Sequence, residues 1–197
     1  MLDKLFKKGI LLYISQALSS LLSYTFILVI ARYFGMEFFG KFIFSYSLII
    51  LLSYISDFGL STLIIREISQ EKNKALQIFL HSLAIRLCLS MIIYIGLLVL
   101  INSLIIIEPD KKMLLLLLGL LLFTRSFFEL LLSYYLGKEE QPTYGLLQLL
   151  NSLLLVGIAY IFIEFKFNFI SISSSAVIAS CVSMVIGYFM LLNWINL

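Results

Sequence analysis

Apolar residues in this chain come in long runs, and most charged residues gather in the short gaps between them. A helix needs about 20 residues to cross the hydrocarbon core of a bilayer. Six runs reach that length: residues 9–33, 41–65, 78–106, 113–136, 144–164 and 172–195. The pattern predicts an all-α fold, a polytopic membrane helix bundle of about six transmembrane helices in a single domain over residues 1–197. The gaps carry stop and start signals. Residues 34–40 hold Gly35 and Gly40, residues 66–77 are the most polar stretch, and residues 107–112 carry Pro109. Residues 137–143 place Gly137 where a helix should stop and Pro142 where the next should start. Residues 165–171 form the weakest boundary, being rich in Phe and Ile.

Composition supports the pattern. The chain is 62% hydrophobic with a mean hydropathy of +1.09, and only 13% of its residues are charged. That is about half the charged share of an average soluble domain, so lipid must be the solvent for most of this surface. The basic start at Lys4, Lys7 and Lys8 precedes an apolar run too long for a signal peptide. With the N-terminus inside, the inner segments hold seven lysines and arginines (Lys4, Lys7, Lys8, Arg66, Lys72, Lys74, Lys138). The outer ones hold five (Arg32, Lys41, Lys111, Lys112, Lys166). The bias and the basic N-terminus favour a cytoplasmic N-terminus. An even number of spans then puts both chain ends on that side.

The scattered net charge of +3 speaks against a nucleic-acid partner. Cys88 and Cys181 lie inside apolar runs, and His81 has no ligand partner near it in sequence. No cofactor or metal is implied, and no paired carboxylates, phosphate loop or nucleophile set points to an enzyme.

The polar residues inside the spans carry more information. Residues three or four apart share a helix face. On that rule Gln16, Ser19, Ser20 and Ser23 align in the first span, and Ser45, Tyr46, Ser53, Ser56 and Asp57 in the second. Ser82, Arg86 and Ser90 align in the third; Arg125, Glu129 and Ser133 in the fourth; Tyr144, Gln148, Asn151 and Ser152 in the fifth. The sixth carries a small-residue stripe of Ser173, Ala176, Ser180, Ser183 and Gly187. Small and hydroxyl residues pack helices closely in membranes, which is the better reading of that stripe. A charge at mid-membrane costs roughly 2.5–3.5 kcal/mol on insertion scales, so Arg86 and Arg125 should face a wet cavity or a partner. Arg125 and Glu129 are spaced to pair on one helix. Asp57 either pairs with Arg86 or caps the break at Gly59.

Residues 29–69 read VIARYFGMEFFGKFIFSYSLIILLSYISDFGLSTLIIREIS. Three elements are ordered in this stretch. Ala31, Arg32, Tyr33, Phe34 and Gly35 end the first helix, and Gly40 opens the next. The run from Asp57 to Leu60 (D-F-G-L) ends that helix, and Arg66, Glu67 and Ile68 follow. In order and spacing they resemble the N-terminal region of bacterial polysaccharide (O-antigen and capsule) flippases of the multidrug/oligosaccharidyl-lipid/polysaccharide exporter superfamily. The resemblance implies one six-helix lobe of a two-lobe transporter in the bacterial cytoplasmic membrane. It implies that undecaprenyl-pyrophosphate-linked oligosaccharide is moved between leaflets through a cationic central cavity. Arg86, Arg125 and Arg32 are then the candidates for the pyrophosphate. Gln16, Gln148, Asn151 and the tyrosines are the candidates for the sugars. Gly35, Gly40, Asp57, Gly59, Arg66 and Glu129 would serve gating or structure.

Family members usually have twelve to fourteen helices, so the resemblance also implies a missing C-terminal lobe or second half. The isolated chain is expected not to transport. Two other readings stand beside this one. One is a half-size drug or small-molecule exporter acting as a dimer. The other is a non-transporting membrane subunit of a glycan-assembly complex.

Overall fold

The computed structural model describes the backbone of residues 2–103 and 108–195 and the side chains of residues 9–103 and 108–192. The described residues are helical almost throughout. In order they form α1 (Leu2–Asp57), α2 (Leu60–Gln70), a single 3-10 turn (Lys72–Lys74) and α3 (Ala75–Ser103). Then follow α4 (Pro109–Gly119), α5 (Leu121–Gly137), α6 (Gln141–Glu164), α7 (Phe169–Ser173) and α8 (Ser175–Ile195).

α1 is two membrane spans joined at a hinge. Gly35 has φ 76° and ψ 178° inside an otherwise helical run. That region of backbone space is essentially open to glycine alone. The fold-back is visible in the packing of Phe26 against Phe42, whose ring centroids are 5.9 Å apart. On a straight helix those residues would be separated by about 24 Å. A Cβ at Gly35 would meet nothing within 4 Å, so Gly35→Ala should act through backbone strain alone. It is expected to destabilise the protein by about 1–3 kcal/mol. Thermal unfolding in detergent tests this, and an unchanged midpoint would refute the hinge.

Among the described residues five stretches are long and apolar enough to cross a membrane: Gly9–Asp57, Lys72–Ser103, Pro109–Gly137, Gln141–Glu164 and Phe169–Leu192. With the first folded at Gly35, the chain makes six crossings of a multi-pass membrane bundle. α4 and α5 together form one crossing, interrupted at Leu120, and α7 and α8 form another, interrupted at Ser174.

Two boundaries depart from the sequence reading. The second span does not run to residue 65; it breaks at Phe58 (φ 44°) and Gly59 (φ 81°). The helix restarts as α2 and continues to Gln70, taking in five residues read as connector. Gly40 does not open a helix. It lies inside one, five residues past the hinge, with nothing within 4 Å of a Cβ built there. The predicted end of the third span at residue 106 lies outside the described residues.

The connectors gather at two ends of the bundle. At the hinge end, Lys41 pairs with Glu37 at 3.1 Å, Glu108 at 3.0 Å and Asp110 at 3.6 Å. The Lys41 ammonium, hydrogen-bonded to Glu108, holds that carboxyl below its ordinary range. Phe169 packs on Phe34 at the same end, with centroids 4.9 Å apart. At the other end, Lys72 pairs with Glu139 at 3.1 Å, and Lys138 donates to the Lys72 carbonyl at 3.0 Å. Each successive crossing swaps ends, so the first and last spans have their outer ends together, as an even count requires.

Candidate functional site

A cleft of about 840 Å³ opens among spans one, two, four, five and six. Its walls differ in chemistry. Ser19, Ser20, Ser23, Gln148, Asn151, Ser152 and Ser180 give one side uncharged hydrogen-bonding groups. Tyr46, Tyr54, Asp57, Ser61, Arg125 and Glu129 give the other side rings and charges. Tyr24, Phe128 and Tyr144 complete the aromatic lining. These side chains share the cleft because the hinge at Gly35 folds the first span beside the second, while α6 packs along the first.

The charges form a connected chain. Arg86, on α3, is fully buried, with a side-chain exposure of 0%. Its Nη1 pairs with Asp57 Oδ1 at 2.9 Å and its Nη2 with Glu129 Oε2 at 2.5 Å. Arg125 Nε donates to the other oxygen of the same carboxylate, Glu129 Oε1, at 2.5 Å. Asp57 Oδ1 also accepts from the Ser61 hydroxyl at 2.6 Å and the Ser61 backbone N–H at 3.3 Å. One carboxylate oxygen thus anchors the restart of the helix beyond the break and binds Arg86. Of the two roles open to Asp57, the structure gives it both. The D-F-G-L motif places this carboxylate beside the Gly59 turn.

Arg86 lies eleven residues into the 29-residue α3 (86 − 75), about 16 Å along its axis and inside a stretch long enough to cross a ~30 Å core. There a charge needs a partner, and here two arginines meet two carboxylates with no net charge. Beside this chain, Ser56, Ser90 and Ser126 join spans two, three and four. The hydroxyls of Ser56 and Ser126 each lie 2.7 Å from that of Ser90, and all three side chains are buried.

The cavity expected from sequence is therefore present, but its charge and lining differ. Arg125, Gln148 and Asn151 line it, as do Asp57 and Glu129. Arg86 does not: it is fully buried and lies behind the carboxylates of Asp57 and Glu129. Gln16 is half-buried outside the lining, and Arg32 is exposed near the hinge end. Arg66 is exposed on α2, also outside it. The cleft is not strongly cationic, because Asp57 and Glu129 balance the two arginines.

Of the stripe on the sixth span, Ser173 and Ser183 are buried, Ser183 donating to Asn151 Oδ1 at 3.2 Å. A Cβ on Gly187 would overlap Leu131. Close packing accounts for the stripe, with Ala176 and Ser180 also reaching the cleft. Ser61 also lies in the lining with no mark in the sequence, and Tyr24 and Tyr54 enter the sequence reading only as tyrosines in general. The signal existed for the two tyrosines: Tyr24 follows Ser20 by four residues, and Tyr54 follows Tyr46 by eight.

Residues 5–196 match the family described as polysaccharide biosynthesis protein. The chain belongs to that family. Its fold is similar to that of a MATE protein solved in the straight conformation, with a TM-score of 0.74 at 17% identity over 90% of this chain. It is also similar to a multidrug resistance MATE family transporter of the MOP superfamily, solved outward-facing, with a TM-score of 0.75 at 22% identity over 92% of this chain. The chain spans 42% and 43% of those two chains, well under half of either. No curated protein matches it.

Proposed function

We propose that this chain forms one lobe of a flippase that carries a lipid-linked oligosaccharide, with an undecaprenyl-pyrophosphate head, across the bacterial cytoplasmic membrane. The N-terminus lies on the cytoplasmic side, and a second lobe completes the transport path. Family membership supports the reading, and one observation in the cleft carries it. Glu129 takes only the Nε of Arg125, and among the described residues no hydrogen bond occupies the two terminal guanidinium nitrogens. A forked, permanently charged donor pair is thus left at the cleft wall, the geometry that suits a phosphate oxygen pair. The uncharged hydroxyls and amides opposite, with the tyrosine rings, suit a sugar.

Likeness to a multidrug transporter in fold favours a second reading, a small-molecule exporter. An organic cation would need a vacant carboxylate. Both carboxylates of the described cleft lining, Asp57 and Glu129, already hold arginines.

Export assays in the native host separate the two. Arg125→Ala should cut surface polysaccharide at least tenfold, with protein abundance in the membrane unchanged. Undiminished surface glycan in that variant would overturn the flippase reading. Loss of drug resistance with intact glycan would install the exporter in its place.

A further inference from the structure

Arg86 does not line the cleft, yet it is the most deeply buried charged group described, and it grips the carboxylate that grips Arg125. The geometry at Glu129 is divided. One oxygen goes to Arg86 Nη2 and the other to Arg125 Nε. A carboxylate beside a single arginine prefers to close on it with both oxygens, making two parallel hydrogen bonds. If Glu129 did so at Arg125, it would engage a terminal nitrogen as well and spoil the free pair. Arg86 stops this by holding one oxygen away. Asp57 keeps Arg86 in place from the other side, at 2.9 Å, and is itself fixed by Ser61.

We propose that Arg86 is a positioning residue, which splits the Glu129 carboxylate and so keeps the terminal nitrogens of Arg125 free for an anionic ligand. This rests on the reading of Arg125 as the phosphate-binding group. It deepens that reading by assigning the residue that preserves the vacancy. Asp57 has a second duty in this scheme. As the counter-charge of Arg86, it allows a fully buried guanidinium to sit at mid-membrane without drawing Glu129 off Arg125 altogether. The Nε of Arg86 is buried without a hydrogen-bond partner. The side chain therefore forgoes one bond while its two terminal nitrogens serve the two carboxylates.

The test uses the purified protein in lipid nanodiscs with inorganic pyrophosphate as probe. Arg86→Met combined with Asp57→Asn removes a charge pair together and leaves no lone buried ion, so the fold should survive. Glu129 should then close on Arg125. Pyrophosphate affinity is expected to fall at least tenfold, and adding Glu129→Gln to the pair is expected to restore it. An amide cannot make the two-oxygen contact, whereas general damage to the bundle would not be repaired by a third substitution. Nitrogen-15 arginine NMR supplies a second readout, independent of ligand. The terminal protons of Arg125 should exchange quickly in the parent and slowly in the double variant.

Weakened binding with recovery in the triple variant supports the proposal. Unweakened binding, or weakened binding without recovery, overturns it. If Arg125→Ala leaves pyrophosphate affinity unchanged, the phosphate reading of the cleft fails. The exchange of the Arg125 protons still decides the geometry in that case: slowing in the double variant upholds the division of Glu129, and no change overturns it.

Discussion

Replacing Arg86 alone with alanine is expected to destabilise the protein by about 3–5 kcal/mol, the usual cost of leaving half of a buried ion pair behind. Two carboxylates depend on that guanidinium. Asp57 and Glu129 have side-chain exposures of only 20% and 25%, so water relieves their isolation in part. Glu129 keeps Arg125 as a partner, but Asp57 keeps only Ser61. The loss should therefore concentrate at the break between α1 and α2, where Asp57 anchors the restarted helix. Accumulation in the membrane and the unfolding midpoint in mild detergent would both drop. The paired replacement of Arg86 by Met and Asp57 by Asn should recover most of that loss, because no lone charge remains and asparagine still accepts from Ser61. A single alanine variant as stable as the parent would show that the buried charge chain contributes nothing to the fold.

The second large effect is expected where α6 lies along the first span. A Cβ on Gly145 would come within 2.7 Å of Ser15 Oγ and 2.9 Å of Ser15 Cβ. The hydroxyl could rotate away, but the Cβ is fixed to the backbone, so the helices must part. Overpacking of this kind costs typically about 1–3 kcal/mol for small insertions. In a membrane the loss matters more than the number suggests, since close approach of small residues replaces the hydrophobic drive between helices. Gly145→Leu should separate the first and fifth spans and deform the cleft wall carrying Ser19 and Gln148. Export should fall with stability. Gly145→Ala should do less, and pairing it with Ser15→Gly should restore the parent by moving the methylene from one helix to the other. If the pair behaves no better than Gly145→Ala alone, the contact is not what limits the approach.

These two sites were unequally legible in the sequence. The i to i+4 spacing of Arg125 and Glu129 points to their contact, and the two side chains meet at 2.5 Å. The same rule found the faces of Tyr144, Gln148, Asn151 and Ser152, all of which line the cleft. It failed for Arg86 because the rule gives a face, not what the face meets. Ser82, Arg86 and Ser90 do share one side of α3, but that side turns toward spans two and four and is sealed there, with all three buried. Gln16 failed for the converse reason. It lies near the serines in angle, yet the cleft begins farther along, at Ser19.

What the sequence determined by itself was the number and order of the crossings, a glycine-marked turn within residues 34–40 and the pairing of adjacent charges on one helix. Each follows from local physics: the length a bilayer demands, the backbone conformation that glycine alone adopts freely, and the turn of the helix. The tertiary structure decided the rest. It set Arg86 between carboxylates 29 positions before it (86 − 57) and 43 after it (129 − 86), and so joined Asp57 and the Arg125–Glu129 pair into one neutral chain. It also chose which polar faces are wet and which are dry. Neither outcome is encoded within any one span, because the free energy of a buried charge depends on the partner that folding brings to it.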